Sequence, residues 1–115
     1  MGNYIVDLDF CFDQVTGPII PLAAYAAATD TVIQTMGLNQ KVIKVKNTGA
    51  NDLVFTIVGS IDRGVEYEYE EKADTTLTPG TFYTHRFDVY YTHVKVRVKA
   101  AAATTATIKA AGQSV

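Results

Sequence analysis

Apolar and polar residues alternate with a period of two in several separate segments of this chain. From Tyr4 to Phe12 every even position is apolar or aromatic, and the same alternation recurs at residues 65–70, 94–99 and 105–110. Successive side chains of a strand point to opposite faces of a sheet. Each segment therefore predicts an antiparallel strand with one buried and one solvent-exposed face.

Further strands are predicted between these segments, at residues 30–36, 41–47, 52–61 and 82–91. Residues 53–58 are apolar or β-branched throughout, which is typical of a central strand covered on both faces. Turn sequences separate the strands at residues 47–52, 62–64 and 78–80. About eight short strands predict one antiparallel β-sandwich domain over residues 1–115, either immunoglobulin-like or jelly-roll. Both topologies satisfy the same alternation, so strand order stays open.

The longest apolar run, GPIIPLAAYAAA, lies at residues 17–28 and is interrupted by prolines. It is shorter than the roughly 20 residues that span a bilayer, and the N-terminus lacks the pattern of a signal peptide. We therefore predict an apolar loop or arm and no membrane segment. Such arms are usually buried in a partner. The candidate interface residues are accordingly Pro18, Ile19, Ile20, Pro21, Leu22 and Tyr25, and the predicted partner is a second copy in a homo-oligomer.

Charge and cysteine content exclude some classes of protein. Ten Lys and Arg residues against twelve Asp and Glu residues give a formal net charge of −2. A chain without excess positive charge lacks the long-range field of non-specific nucleic-acid binding, so no nucleic-acid partner is expected. The single cysteine, Cys11, cannot form an internal disulfide, which fits synthesis and assembly in a reducing cytoplasm.

A basic stripe lies on one predicted strand, where Lys95, Arg97 and Lys99 alternate with valines. The segment at residues 65–70 carries glutamates with the same period. Two interpretations follow for these stripes. They form cross-strand ion pairs that discourage wrong register, or the basic stripe docks on an oppositely charged partner.

No set of residues indicates catalysis or a cofactor. His85 and His93 lie on strands predicted to form a hairpin around residues 90–91, but two histidines need two more ligands to make a zinc site. His85 falls in an apolar register and is predicted to be a hydrogen-bonded core histidine. An enzyme would need both histidines and a carboxylate in one cleft. We predict no enzyme, no cofactor and no metal site, with the aspartates at positions 7, 9 and 13 forming a solvated face.

The aromatic residues support an alternative function. The chain has seven tyrosines and five phenylalanines but no tryptophan. Their main predicted role is packing in the core or between subunits. A carbohydrate- or ligand-binding β-sandwich module remains the alternative, because four tyrosines have side chains suited to stacking on a sugar: Tyr67, Tyr69, Tyr83 and Tyr90.

Three segments resemble small β-sandwich virion structural proteins of tailed bacteriophages and related viruses: KVKNTGANDL at residues 44–53, IVGSIDRG at 57–64 and LTPG at 77–80. The resemblance covers roughly residues 40–100. It implies a non-enzymatic capsid, decoration or tail component that assembles from many copies, with other virion proteins, in the host cytoplasm. The family has no catalytic residues to transfer.

Overall fold

The computed structural model describes residues 10–19, 25, 30–38, 40–87 and 89–113. These residues form eight strands: β1 (Phe10–Ile19), β2 (Thr31–Gln34), β3 (Gln40–Asn47), β4 (Leu53–Ser60), β5 (Tyr69–Leu77), β6 (Phe82–Phe87), β7 (His93–Lys99) and β8 (Thr104–Gln113). No helix occurs in the described ranges, so none of their segments is a helix that could cross a membrane.

The strands form two four-stranded antiparallel sheets. Sheet A has the order β1-β8-β3-β6, and sheet B has the order β2-β7-β4-β5. Only β4 and β5 are consecutive strands that pair in one sheet; every other connection passes from one sheet to the other. This order is that of a jelly roll, so the structure confirms the antiparallel sandwich and selects one of the two predicted topologies.

The core lies between the sheets and is built from alternate residues of the inner strands. Strand β7 shows the pattern most clearly, because its valines are fully buried while the residues between them are partly exposed. Strand β4 lies inside sheet B and also buries Thr56 and Ser60 on its other face, as predicted for a central strand. The largest fully buried apolar side chains are Phe55, Ile43, Leu53, Ile57, Ile108, Val45, Val94, Val96 and Val98.

The prediction of a strand over residues 65–70 is wrong for most of that segment. Residues 61–68 form a loop, and β5 begins only at Tyr69, opposite Gly59 of β4. Arg63 and Gly64 have positive φ angles of 62° and 86°, which turn the chain away from β4. Val65 is consequently 78% exposed instead of buried.

Two other predicted boundaries are corrected. The apolar run at residues 17–28 predicts a loop or arm, but its first three residues, Gly17, Pro18 and Ile19, are the last residues of β1. The pairing of β1 with β8 is irregular between Thr16 and Ile19. Proline lacks an N–H group for the ladder and is tolerated because β1 is an edge strand. The strand predicted at 82–91 ends at Phe87, and the strand start predicted at residues 4–9 lies outside the described residues.

Asn47 holds together the loops at one end of the sandwich. Its side chain is completely buried and donates to the carbonyl oxygens of Asn51 (2.7 Å) and Leu77 (2.9 Å). Its Oδ1 accepts from the backbone N–H of Gly49 (3.0 Å) and the hydroxyl of Thr104 (2.9 Å). The KNTG segment therefore joins the β3–β4, β5–β6 and β7–β8 connections.

Candidate functional site

The predicted basic stripe lies on the outer face of sheet B and is paired within the chain. Asp30 lies 3.2 Å from Arg97 Nε and 3.7 Å from Lys95 Nζ, and its side chain is only 8% exposed. Lys99 Nζ lies 3.7 Å from Asp74. The partners are thus aspartates, and not the glutamates that the alternation at residues 65–70 suggested. Much of the positive charge on this stripe is already neutralised.

Tyr25, one of the predicted interface residues, covers the same stripe. Its ring lies 4.5 Å from Lys99 Nζ and 5.3 Å from the guanidinium carbon of Arg97. Its hydroxyl donates to Asp74 Oδ1 at 2.7 Å. Burial, and then the hydrogen bond to Asp74, raise the pKa of Tyr25 well above its ordinary value. Tyr25 therefore packs on its own sheet through cation–π contacts.

The other predicted interface residues are not brought into this arrangement. Pro18 and Ile19 lie in β1, where the structure describes the backbone path, and Ile20, Pro21 and Leu22 lie outside the described residues. The prediction that this segment reaches a neighbouring subunit stays a prediction.

The two histidines do not meet. Strand β6, which carries His85, belongs to sheet A, whereas His93 begins β7 in sheet B, so the predicted hairpin is wrong. His85 is a hydrogen-bonded histidine, as predicted: its Nε2 lies 2.9 Å from Glu71 Oε1 and its Nδ1 lies 3.0 Å from the Tyr83 hydroxyl.

Glu71 links the free edges of the two sheets, because it lies on β5 while His85 lies on β6. Its second oxygen accepts a 2.6 Å hydrogen bond from the Tyr91 hydroxyl. Burial alone would raise the pKa of Glu71, but the hydrogen bonds from Tyr91 and His85 outweigh it and lower that pKa. Burial and the bond to Glu71 raise the pKa of Tyr91. Both carboxylate oxygens of Glu71 are thus hydrogen-bonded, and we call this connection between β5 and β6 the clamp.

An apolar surface that the sequence analysis missed lies at the other end of the sandwich from Asn47. The β2–β3, β4–β5 and β6–β7 connections all lie at this end, since Gln34, Ser60 and His93 are neighbours in sheet B. They carry five of the eight large apolar side chains that are exposed in the described part of the chain. We call these five residues the apolar rim: Met36, Ile61, Val65, Val89 and Tyr90.

Hydrogen bonds fix the three loops of the apolar rim to one another. Thr92 donates its backbone N–H to Ser60 O (2.8 Å) and accepts from the N–H of Thr35 (2.9 Å). The Thr92 hydroxyl accepts from the N–H of Arg63 at 2.9 Å. Asp62 Oδ1 accepts from Ser60 (2.6 Å) and from the Glu66 N–H. These bonds, to Ser60 first, lower the pKa of Asp62. The three loops that carry the apolar rim are therefore held to one another by hydrogen bonds.

No group of three or more His, Cys, Asp or Glu side chains able to hold a metal ion occurs among the residues whose side chains are described. Cys11 lies in β1, in the part of the chain where only the backbone is described. Of the tyrosines proposed to stack on a sugar, Tyr83 packs on Phe55 with ring centroids 5.5 Å apart, and Tyr67 lies over Lys95 at 4.2 Å. Tyr69 and Tyr90 are exposed.

Comparison with known proteins gives a likeness of fold. No protein-family model and no curated protein sequence matches the chain. The chain is similar to the SPBc2 prophage-derived protein YomS, with a TM-score of 0.54 and 10% identity over 97% of this chain and 100% of that one. At this identity the similarity establishes the fold alone.

Two other solved structures show weaker similarity. A family 11 carbohydrate-binding module from Clostridium thermocellum has a TM-score of 0.48 and 8% identity, over 93% of this chain and 84% of that one. The Tobacco streak virus coat protein has a TM-score of 0.43 and 10% identity, over 96% and 88%.

Proposed function

We propose that this chain is a non-enzymatic structural protein of a phage or viral particle that assembles from copies of itself and other virion proteins. The apolar rim is the observation that carries the proposal. Five exposed large apolar side chains lie at one end of the sandwich, on three loops joined by hydrogen bonds, and a monomer gains little from leaving them in water. The jelly-roll order and the likeness to a prophage-derived protein support the viral context.

The size of the apolar rim limits the strength of the contact. Fully burying one large apolar side chain contributes about 1.5–3 kcal/mol. Five partly exposed side chains therefore offer roughly 4–8 kcal/mol, which is comparable to the estimated 4–15 kcal/mol cost of association. The rim alone supports a weak contact between two copies, and a particle gains stability because each copy makes several such contacts at once.

The test is the solution mass of untagged protein by light scattering over a concentration series. We expect a discrete multimer, whereas a monomer of 12.5 kDa at every concentration would overturn self-assembly. Val65→Asp should weaken the multimer at least tenfold, since Val65 is the most exposed rim residue. Val32→Asp is the matched control: Val32 is also exposed, but it lies on β2 beside Lys95, outside the rim.

The alternative function, a carbohydrate- or ligand-binding module, rests on the exposed rings of Tyr69 and Tyr90. A glycan array on the purified chain separates the two functions. Binding to one class of glycan that is lost in Tyr90→Ala, together with a monomeric solution mass, would favour the binding module and refute the assembly protein.

A further inference from the structure

The outer face of sheet A carries positive charge on strands that contain no acidic residue. Strands β3, β6 and β8 read QKVIKVKN, FYTHRF and TTATIKAAGQ. Ile43, Val45 and Ile108 are buried, so the intervening residues point outward. These outward residues include Lys44, Lys46, Arg86 and Lys109, which together we call the basic face.

The register brings the members of the basic face together. Lys44 pairs with Lys109 on β8 and Thr84 on β6, and Lys46 pairs with Phe82. Phe82 is 56% exposed, and Lys44 Nζ lies 4.4 Å from its ring centroid. The backbone register places Asp13 of β1 opposite Lys109 of β8. The face thus consists of an exposed aromatic ring beside a row of cations.

A loop of the same chain has the complementary character. Residues 61–68, which we call the acidic loop, carry three exposed acids, Asp62, Glu66 and Glu68, against one cation, Arg63. The hydrogen bond and the negative charge of Glu68 raise the pKa of Glu66. Between the acids lies the exposed aliphatic side chain of Val65.

We propose that the acidic loop of one copy docks on the basic face of a second copy. Each surface combines exposed apolar area with flanking charge, and the two charges are opposite in sign, which steers association and fixes register. The two surfaces differ, so the contact is heterologous and generates a ring if the rotation closes and a filament if it does not. This proposal deepens the proposed function and rests on it, because it names the surfaces through which copies assemble.

Charge reversal tests the proposal. The basic-face variant is Lys44→Glu with Lys46→Glu and Arg86→Glu, which makes the net charge of the face negative, and the acidic-loop variant is Glu66→Lys with Glu68→Lys. Both should keep the fold, because a glutamate at position 44 faces Lys109 and the loop residues are exposed. Each variant should weaken association at least tenfold in light scattering. The matched control, Asp52→Lys, reverses an exposed charge at the opposite end and should leave association unchanged.

Mixing the two variants gives the decisive result. In an equimolar mixture, the native loop of the basic-face variant can dock on the native face of the acidic-loop variant. The reversed loop of the second can likewise dock on the reversed face of the first. Association should therefore return, with the two variants alternating along the assembly. Raising the salt concentration to ~0.5 M should weaken the native multimer, since the contact depends on exposed charges. A multimer that neither variant weakens would overturn this proposal and leave the proposed function intact. A native chain that stays monomeric refutes the proposed function itself.

Discussion

Replacing Asn47 by alanine should destabilise the fold through four lost hydrogen bonds. Two of these bonds, with the Leu77 carbonyl and the Thr104 hydroxyl, are buried, and those with Asn51 and Gly49 are partly buried. An unpaired buried polar group costs about 1–3 kcal/mol, whereas a group that water can reach costs less. We expect the free energy of unfolding to fall by about 3 kcal/mol.

Urea denaturation followed by circular dichroism measures this change. Domains are typically stable by about 5–15 kcal/mol, so the Asn47→Ala variant should still fold. With a urea slope of about 2 kcal/mol per molar, the midpoint should fall by about 1.5 M. Asn51→Ala is the matched control, because the Asn51 side chain donates one exposed hydrogen bond, to Ala103 O at 2.8 Å.

The control should lose less than about 1 kcal/mol. An Asn47→Ala variant that loses no more than this control would refute the reasoning. In that case the KNTG segment would be an ordinary turn and not the polar centre that joins three loops.

Substitutions at three further positions test other parts of the fold. Gly59→Ala places a Cβ 2.6 Å from the Tyr91 ring, so we expect about 1–3 kcal/mol of destabilisation and a lower Tm; an unchanged Tm would contradict the packing of Tyr91 on β4. The lowered pKa of Glu71 means that its carboxylate stabilises the fold above the ordinary pKa of 4.5, and that this contribution is lost as the pH falls through the folded-state pKa. Glu71→Gln should therefore flatten the fall in stability below about pH 5, and an identical acid limb in both proteins would argue against the clamp. Tyr25→Phe should cost about 0.5–1.5 kcal/mol by denaturation, through loss of the bond to Asp74, and Tyr25→Ala should cost more; equal losses would mean that the ring contributes nothing over Arg97 and Lys99.

The alternation of apolar and polar residues predicted the strands that have one buried face. It did not predict β5, which is polar on both faces. Strands β7 and β8 bury every second residue, so their period of two is visible in the sequence. Strand β5 is an edge strand with the sequence YEEKADTTL, and most of its residues are at least partly exposed. It therefore carries no alternating signal. The alternation just before it belongs to a loop, whose path is set by the turn at Arg63 and Gly64.

The candidate surfaces depend on the order of the strands in the two sheets. The pattern of apolar and polar residues along one strand does not reveal that order. The sequence identified Lys95, Arg97 and Lys99 as one outward row, but their partners come from distant segments, Asp30 and Asp74. The apolar rim forms because the β2–β3 and β6–β7 connections, which pass from one sheet to the other, lie at the same end of the sandwich as the β4–β5 connection. Isolated exposed residues such as Met36 and Val89 give no sign of this in the sequence, since single apolar residues on a surface are common.

The pairing of β1 with β8 decides where the protein can be labelled or fused. Phe10 is opposite Gly112 in the register, and Gly112 lies against Leu38 in the β2–β3 connection. Both ends of the described chain therefore leave the sandwich beside the apolar rim. An affinity tag or fluorescent protein fused directly to Phe10 or Gln113 would crowd the surface on which the proposed assembly depends. A label inserted in the β5–β6 turn at residues 78–81, at the far end, would report on assembly without blocking that surface.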